Sequence, residues 1–248
     1  MERDDREAVA SFLLAEQPFT PGTTVSLGDE VARHVRVRRL GVGACLALLD
    51  GHGHRALGTI VRLNPTIAVE IGSLTVASPP PSLHLLVPIA DKDRMMWLAE
   101  KVAELGVTSW RPILYRRSRS VKPRGEGPTF TSKVKARMGA ALEQSGGRWL
   151  PSVYPESTLA RAIPGLPTDG IRLVLDPGGS GILATTLTPP VTVAIGPEGG
   201  LEDDELQVLE EAGFSRVALG GDILRFETAA IAGAAIVRAT LAESRTHA

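Results

Sequence analysis

Ile195-Gly196-Pro197-Glu198-Gly199-Gly200-Leu201 follows the apolar run Val191–Ile195 and precedes the helical pattern of Glu202–Ala212. A strand that ends in a glycine-rich turn and passes into a helix is the repeating unit of a mostly parallel α/β sheet. Ligands of such sheets gather at the carboxyl ends of the strands. Val191–Ile195 and Ile171–Leu175 are continuous apolar runs, as expected of strands covered on both faces.

The charges around the turn restrict what it can bind. Glu198, Glu202, Asp203, Asp204 and Glu205 crowd the loop and the first helical turn. They satisfy the positive end of the helix, and a polyphosphate would meet like charge. No lysine follows the glycines, so the phosphate-cradling loop pattern is absent. A neutral or cationic ligand fits better, and S-adenosylmethionine, with its sulfonium, is one. By itself the loop is equally compatible with a plain strand–turn–helix connection.

A second segment shifts that balance. Leu219-Gly220-Gly221-Asp222-Ile223-Leu224-Arg225-Phe226-Glu227-Thr228 also leads from a strand, Arg216–Leu219, into a helix, Thr228–Ala242. That helix is built of small and apolar residues and suits close packing. Arg225 and Glu227 flank its start, where an idle buried charge is costly, so both are expected to be paired or to face a ligand.

The same grammar extends outward. Strands are expected at Leu83–Ile89 and Val107–Tyr115, and helices at Asp93–Leu105 and Lys133–Gln144, stopped by Gly106 and by Gly146-Gly147. Upstream, Pro79-Pro80-Pro81 reads as a linker between domains 1–77 and 83–248. Before it, Thr23–Leu27, Cys45–Leu49, Ala56–Leu63 and Thr66–Ile71 read as short strands of a small β-barrel or sandwich, and 30–40 as either helix or strand.

The 248 residues are 43% hydrophobic and 22% charged, ordinary for a globular protein, with a net charge of −1. Nucleic-acid binding would therefore depend on local patches. Arg33, His34, Arg36, Arg38 and Arg39 form one. The stretch 111–137 forms another, with nine basic residues, among them Arg116, Arg117, Arg119, Lys122 and Arg124, against the single acid Glu126. Two patches on two domains suit an RNA that spans both, whereas Lys133, Lys135 and Arg137 read as a solvated helix face. The single cysteine, Cys45, excludes an internal disulfide. His52 and His54 lack a third ligand nearby, so no metal site is expected. A charged amino terminus and the lack of a long apolar run point to a cytoplasmic chain without membrane contact.

Together the two glycine-rich segments resemble the RsmE family, 16S ribosomal RNA (uracil-N3)-methyltransferases of the SPOUT superfamily. The family combines a G-P-E-G-G loop with a later L-G-x-x-I-L-R-x-E-T-A segment, and both are present here. Arg94-Met95, Glu100-Lys101 and Glu104-Leu105-Gly106-Val107 resemble its first-helix motif. Ala141-Leu142-Glu143-Gln144-Ser145 resembles its E-Q-S motif, and His34, Val37, Arg38, Arg39 and Leu40 its amino-terminal basic segment. Gly220-Gly221-Asp222 departs from the family's frequent G-P-R, Met96 replaces a frequent acid, and Arg148 is displaced by one residue.

The resemblance implies a trefoil-knotted parallel-sheet domain, one of the rare exceptions to unknotted folds, joined to an amino-terminal PUA-like β-barrel that binds RNA. It implies a homodimer acting on 16S ribosomal RNA in the small subunit, not on DNA. S-adenosylmethionine would lie against Leu175, Ile195, Gly196, Pro197, Glu198, Gly199, Gly200, Leu219, Gly220, Ile223, Leu224, Arg225 and Thr228. Arg225 would stabilise a uridine anion, with Glu198 or Glu227 aiding positioning or proton removal. A SPOUT enzyme acting on another RNA position or a ribose 2′-oxygen stays open, as does a non-catalytic RNA-binding protein of the same fold.

Overall fold

The computed structural model of the chain describes residues 8–15, 17–120 and 124–246. The chain divides into two compact units, Met1–Pro79 with Leu142–Leu150, and Pro80–Ala141 with Pro151–Ala248.

The first unit contains β1 (Ala10–Leu13), β2 (Thr24–Ser26), α1 (Asp29–Val37), β3 (Cys45–Leu49), β4 (His54–Arg62) and β5 (Ala68–Val76). Its strands form one mixed sheet in the order β1-β3-β4-β5-β2, in which only the β1–β3 pair is parallel. No ladder joins β1 to β2 among the described residues, so the expected barrel is an open half-barrel. The segment that the sequence left between helix and strand is helical. Ala32 and Val35 of α1 enter a core with Phe12, Leu46, Leu48, Ile60 and Val69, while Arg33, His34 and Arg36 stay exposed.

His52 lies in the turn before β4, and His54 begins that strand. Asp50 Oδ1 accepts the backbone N–H groups of His52 at 2.7 Å and His54 at 3.0 Å, and Asp50 Oδ2 lies 2.6 Å from His54 Nδ1. Three bonds attach 142–150 to this unit. The Leu13 N–H donates to Glu143 Oε1 at 2.7 Å, the Gly53 N–H to the Arg148 carbonyl at 2.8 Å, and the Leu150 N–H to the Gly51 carbonyl at 2.8 Å. Gly53 has φ +100°, and a Cβ there would lie 2.5 Å from Trp149 Cζ2. Only glycine fits that crossing.

The second unit contains β6 (Leu83–Pro88), α2 (Lys92–Glu104), β7 (Ser109–Ile113), α3 (Pro128–Ser145), β8 (Ser152–Val153), α4 (Leu159–Ala162), β9 (Ile171–Gly181), β10 (Val191–Ile195), α5 (Asp203–Glu211), β11 (Ser215–Ala218) and α6 (Phe226–Thr246). The last four residues of α3 count with the first unit. All six strands are parallel, in the order β11-β9-β10-β6-β7-β8. β10, near the centre, is buried along its whole length, as its unbroken apolar run requires.

Alternate side chains serve opposite faces of the sheet. Leu86, Ile113, Val174 and Ala194 pack with Leu159, Leu209 and Phe214 under α4 and α5. α6 packs against β6, β10 and α2. Gly233 lets α6 approach closely, since a Cβ there would lie 3.0 Å from Leu175 Cδ1.

Candidate functional site

The parallel order brings the carboxyl ends of β11, β9 and β10 side by side. Their outgoing loops enclose a cavity of about 270 Å³. β9 contributes Leu175, Asp176 and Pro177; the loop after β10 contributes Ile195 through Leu201; Leu219, Gly220, Asp222, Ile223 and Leu224 follow β11. Phe226 and Ala229, at the head of α6, also line it. Both glycine-rich segments therefore face one space. Among the described residues no lysine or arginine lines it, while three carboxylates do.

Eleven of the thirteen residues expected to hold a ligand line the cavity; Arg225 and Thr228 do not. The sequence reading missed Asp176, which directly follows the apolar run of β9 and so was signalled by the strand end. Its Oδ1 accepts the Gly178 N–H at 2.6 Å and Arg216 Nη2 at 3.0 Å.

The loop after β10 is held from several sides. The Gly200 N–H donates to the Pro197 carbonyl at 2.8 Å, closing a turn over Glu198 and Gly199. Arg94, at the start of α2, donates to the Glu198 carboxylate, and its Nε lies 3.9 Å from Glu227 Oε1. Glu227 is 6% exposed, and its Oε2 has no hydrogen-bond donor among the described residues. The expectation for Glu227 is thus met through Arg94. Arg225 differs: it is exposed, and no ion pair engages it among the described residues. Its neighbour Phe226, and not Arg225, turns into the core.

The acidic start of α5 is satisfied internally. Glu202 and Glu205 form a reciprocal capping box, with the Glu202 N–H donating to Glu205 Oε2 at 3.0 Å. The basic residues after β7 join them, in a short 3-10 turn over Arg116–Ser120. Arg116 Nη1 donates to Glu202 Oε2 at 2.8 Å, its Nη2 to Asp204, and its backbone N–H to Glu205 Oε1 at 2.9 Å. Arg117 Nη1 donates to the Gly199 carbonyl at 2.7 Å. Arg124 pairs with Glu126 at 2.9 Å. Lys122 lies outside the described residues, as does the side chain of Arg119. In the first unit, Arg33, His34, Arg36, Arg38 and Arg39 are all exposed, and Arg38 lies over the Phe12 ring at 5.9 Å.

Comparison with known proteins places this geometry. A family model described as the RNA methyltransferase domain matches residues 77–238. The chain belongs to the RNA methyltransferase family. A second model, the PUA domain of RNA methyltransferases, matches residues 27–71. The ribosomal RNA small subunit methyltransferase E of Synechocystis is 31% identical over 145 residues, 56% of this chain and 46% of that protein. The protein of the same name from Mesomycoplasma hyopneumoniae is 56% identical over 39 residues, 16% of this chain and 17% of that one. The matched region thus spans less than half of the length of these relatives. Among solved structures, the Neisseria gonorrhoeae ribosomal RNA small subunit methyltransferase E bound to S-adenosylmethionine superposes with a TM-score of 0.85 at 29% identity, covering 93% of this chain and 97% of that one. A Legionella pneumophila chain, described as a methyltransferase and solved with the same cofactor, gives 0.84 at 27% identity with the same coverage.

Proposed function

We propose that this RNA methyltransferase family member uses S-adenosylmethionine to methylate N3 of a uridine in the 16S ribosomal RNA of the small subunit. The cavity at the ends of β9, β10 and β11 carries the reading. Its chemistry suits the cofactor: aliphatic walls for a heterocycle, glycine backbone for close approach, and carboxylates with no lining cation for a sulfonium. When bound, the cofactor supplies an electrophilic methyl group.

The chain's residues do the rest. Ile195 through Leu201 and Leu219 through Leu224 hold the ligand. N3 of uridine carries a proton, so transfer requires its removal or stabilisation of the resulting anion. Glu198, at the cavity wall, and Glu227, buried behind Arg94 with an oxygen that has no donor among the described residues, would receive it. Arg225, exposed and without an ion pair among the described residues, is available to the anion of an unstacked base. The basic face of α1 meets RNA phosphates, with residues 1–77 as the RNA-binding domain and 83–248 as the catalytic one.

Two further properties go with this reading. The loops Gly196–Gly200 and Leu219–Arg225 are those of a trefoil knot. The enzyme works as a cytoplasmic homodimer, supported by exposed apolar side chains at Ile223, which is 85% exposed, and at Ala239 of α6. No described helix is long and apolar enough to cross a membrane.

The deciding experiment is mass spectrometry of ribosomal RNA from a deletion strain. Loss of 3-methyluridine, restored by this chain but not by Arg225→Ala, supports the reading. Loss of a ribose 2′-O-methyl group instead assigns a different acceptor atom. Near-normal turnover of Arg225→Ala at saturating cofactor removes Arg225 from the mechanism.

A further inference from the structure

The basic stretch after β7 reads, from charge alone, as an RNA contact. The geometry of Arg117 does not match that role. Its Nη1 donates to the Gly199 carbonyl at 2.7 Å, and its Nε lies 3.7 Å from Glu202 Oε1. Its aliphatic stem lies along the loop: a Cβ on Gly199 would come within 3.1 Å of Arg117 Cβ and 3.2 Å of its Cδ. Gly199 and Gly200 are both walls of the ligand cavity. Arg117 therefore packs against, bonds to and neutralises the outer side of the loop whose inner side faces the ligand.

We propose that Arg117 is a positioning residue for the cofactor loop rather than an RNA ligand. The inference rests on the S-adenosylmethionine reading of the cavity. A carbonyl held outward by a guanidinium fixes the plane of its peptide, here Gly199–Gly200. That peptide lies between two glycines, which would otherwise sample many orientations. The Gly200 N–H is meanwhile committed to the Pro197 carbonyl. Arg116 secures the base of the arrangement by bonding Glu202, Asp204 and Glu205. On the other flank Arg94 holds Glu198. The loop after β10 is thus set by arginines from the start of α2, which follows β6, and from the turn after β7, the next two strands along the sheet. Such pre-ordering lowers the entropy lost when ligand binds.

The test is calorimetry of S-adenosylmethionine binding to the wild-type chain, Arg117→Met and Arg117→Lys without RNA, with binding of 16S ribosomal RNA measured separately across a salt series. Methionine keeps much of the stem and removes the donors. Loss of one charge-assisted bond that orders the loop weakens cofactor binding about tenfold. Lysine, a single-point donor within reach of the carbonyl, recovers part of the loss. The salt dependence of RNA binding stays at the wild-type slope. A cofactor affinity in Arg117→Met equal to wild type overturns the inference. So does a fall of about one in the salt slope, which marks a lost phosphate contact. An equal loss in both variants, accompanied by a lowered melting temperature, reassigns Arg117 to general stability and also overturns it. Failure of the wild-type chain to bind S-adenosylmethionine would instead refute the function proposed for the cavity.

Discussion

Arg238 Nη1 donates to the carbonyl of Pro81 at 2.7 Å, across 157 residues of sequence. The same guanidinium donates through Nε to the Leu105 carbonyl at 3.1 Å and through Nη2 to that of Gly106. One cation on α6 thereby satisfies the chain before β6 and the turn after α2. Burial pulls its pKa below the usual arginine value. Arg238→Met leaves three carbonyls without their donor and lowers unfolding free energy by about 2 kcal/mol. Chemical denaturation measures this, and cofactor affinity of the folded fraction stays unchanged.

Glu227 predicts an opposition between stability and activity. Its Oε2 has no donor among the described residues, and its other oxygen is 3.9 Å from Arg94 Nε. Glu227→Gln removes an incompletely compensated buried charge, so the melting temperature holds or rises. Methyl transfer falls about 100-fold or more if the carboxylate takes the N3 proton. Thermal melts and single-turnover assays on one preparation test both parts.

Arg39, two residues past the end of α1, has φ +54°, left-handed backbone that favours glycine. Arg39→Gly relieves this conformation and raises stability by about 0.5–1 kcal/mol. The same change removes one cation from the exposed basic cluster of α1 and the residues after it. The salt slope of RNA binding therefore falls by about one. A more stable protein with an unaltered slope would take Arg39 out of the RNA interface.

Glu143 supplies a pH dependence. Burial pushes its carboxyl pKa upward, against the Leu13 N–H and the charges of His34 and Arg38, which pull it down. A folded pKa above the unfolded value means the acid stabilises the fold below that unfolded value, near 4.5. That contribution disappears as pH rises through the folded pKa. Glu143→Gln keeps an acceptor for Leu13 without the charge. Melting temperatures of the variant and the wild type should therefore agree in acid and separate toward neutrality, with the variant higher.

Much of the site was written locally. The two glycine-rich segments follow strands whose unbroken apolar runs mark them as central, so a shared carboxyl edge followed from α/β topology. Elements that depend on a distant partner were less visible. β9 extends past Leu175 to Gly181 because Ser180 and Gly181 pair with Val217 and Ala218 beyond a register shift in β11. Asp176-Pro177-Gly178-Gly179 alone reads as a turn. β1 is short, and its partner residues in β3 lie 36 positions away in sequence, at Ala10↔Leu46 and beyond. The grips of Arg94 and Arg117 on the loop after β10 leave no spacing signal, since they join chain segments about 80–100 residues apart. Charge reading registers the sign of Arg117 and not its hydrogen-bond partner, the Gly199 carbonyl.

The return of Leu142–Leu150 to the first unit also sets a timetable for synthesis. Pro79 leaves the ribosome with that unit still lacking the acceptor for the Leu13 N–H and the strip that covers Gly53. About 70 more residues must be made before Leu150 arrives. At roughly 5–20 residues per second, the half-barrel waits on the order of 4–14 seconds for its last piece. During that interval the Leu13 N–H lacks the Glu143 acceptor it has in the folded unit.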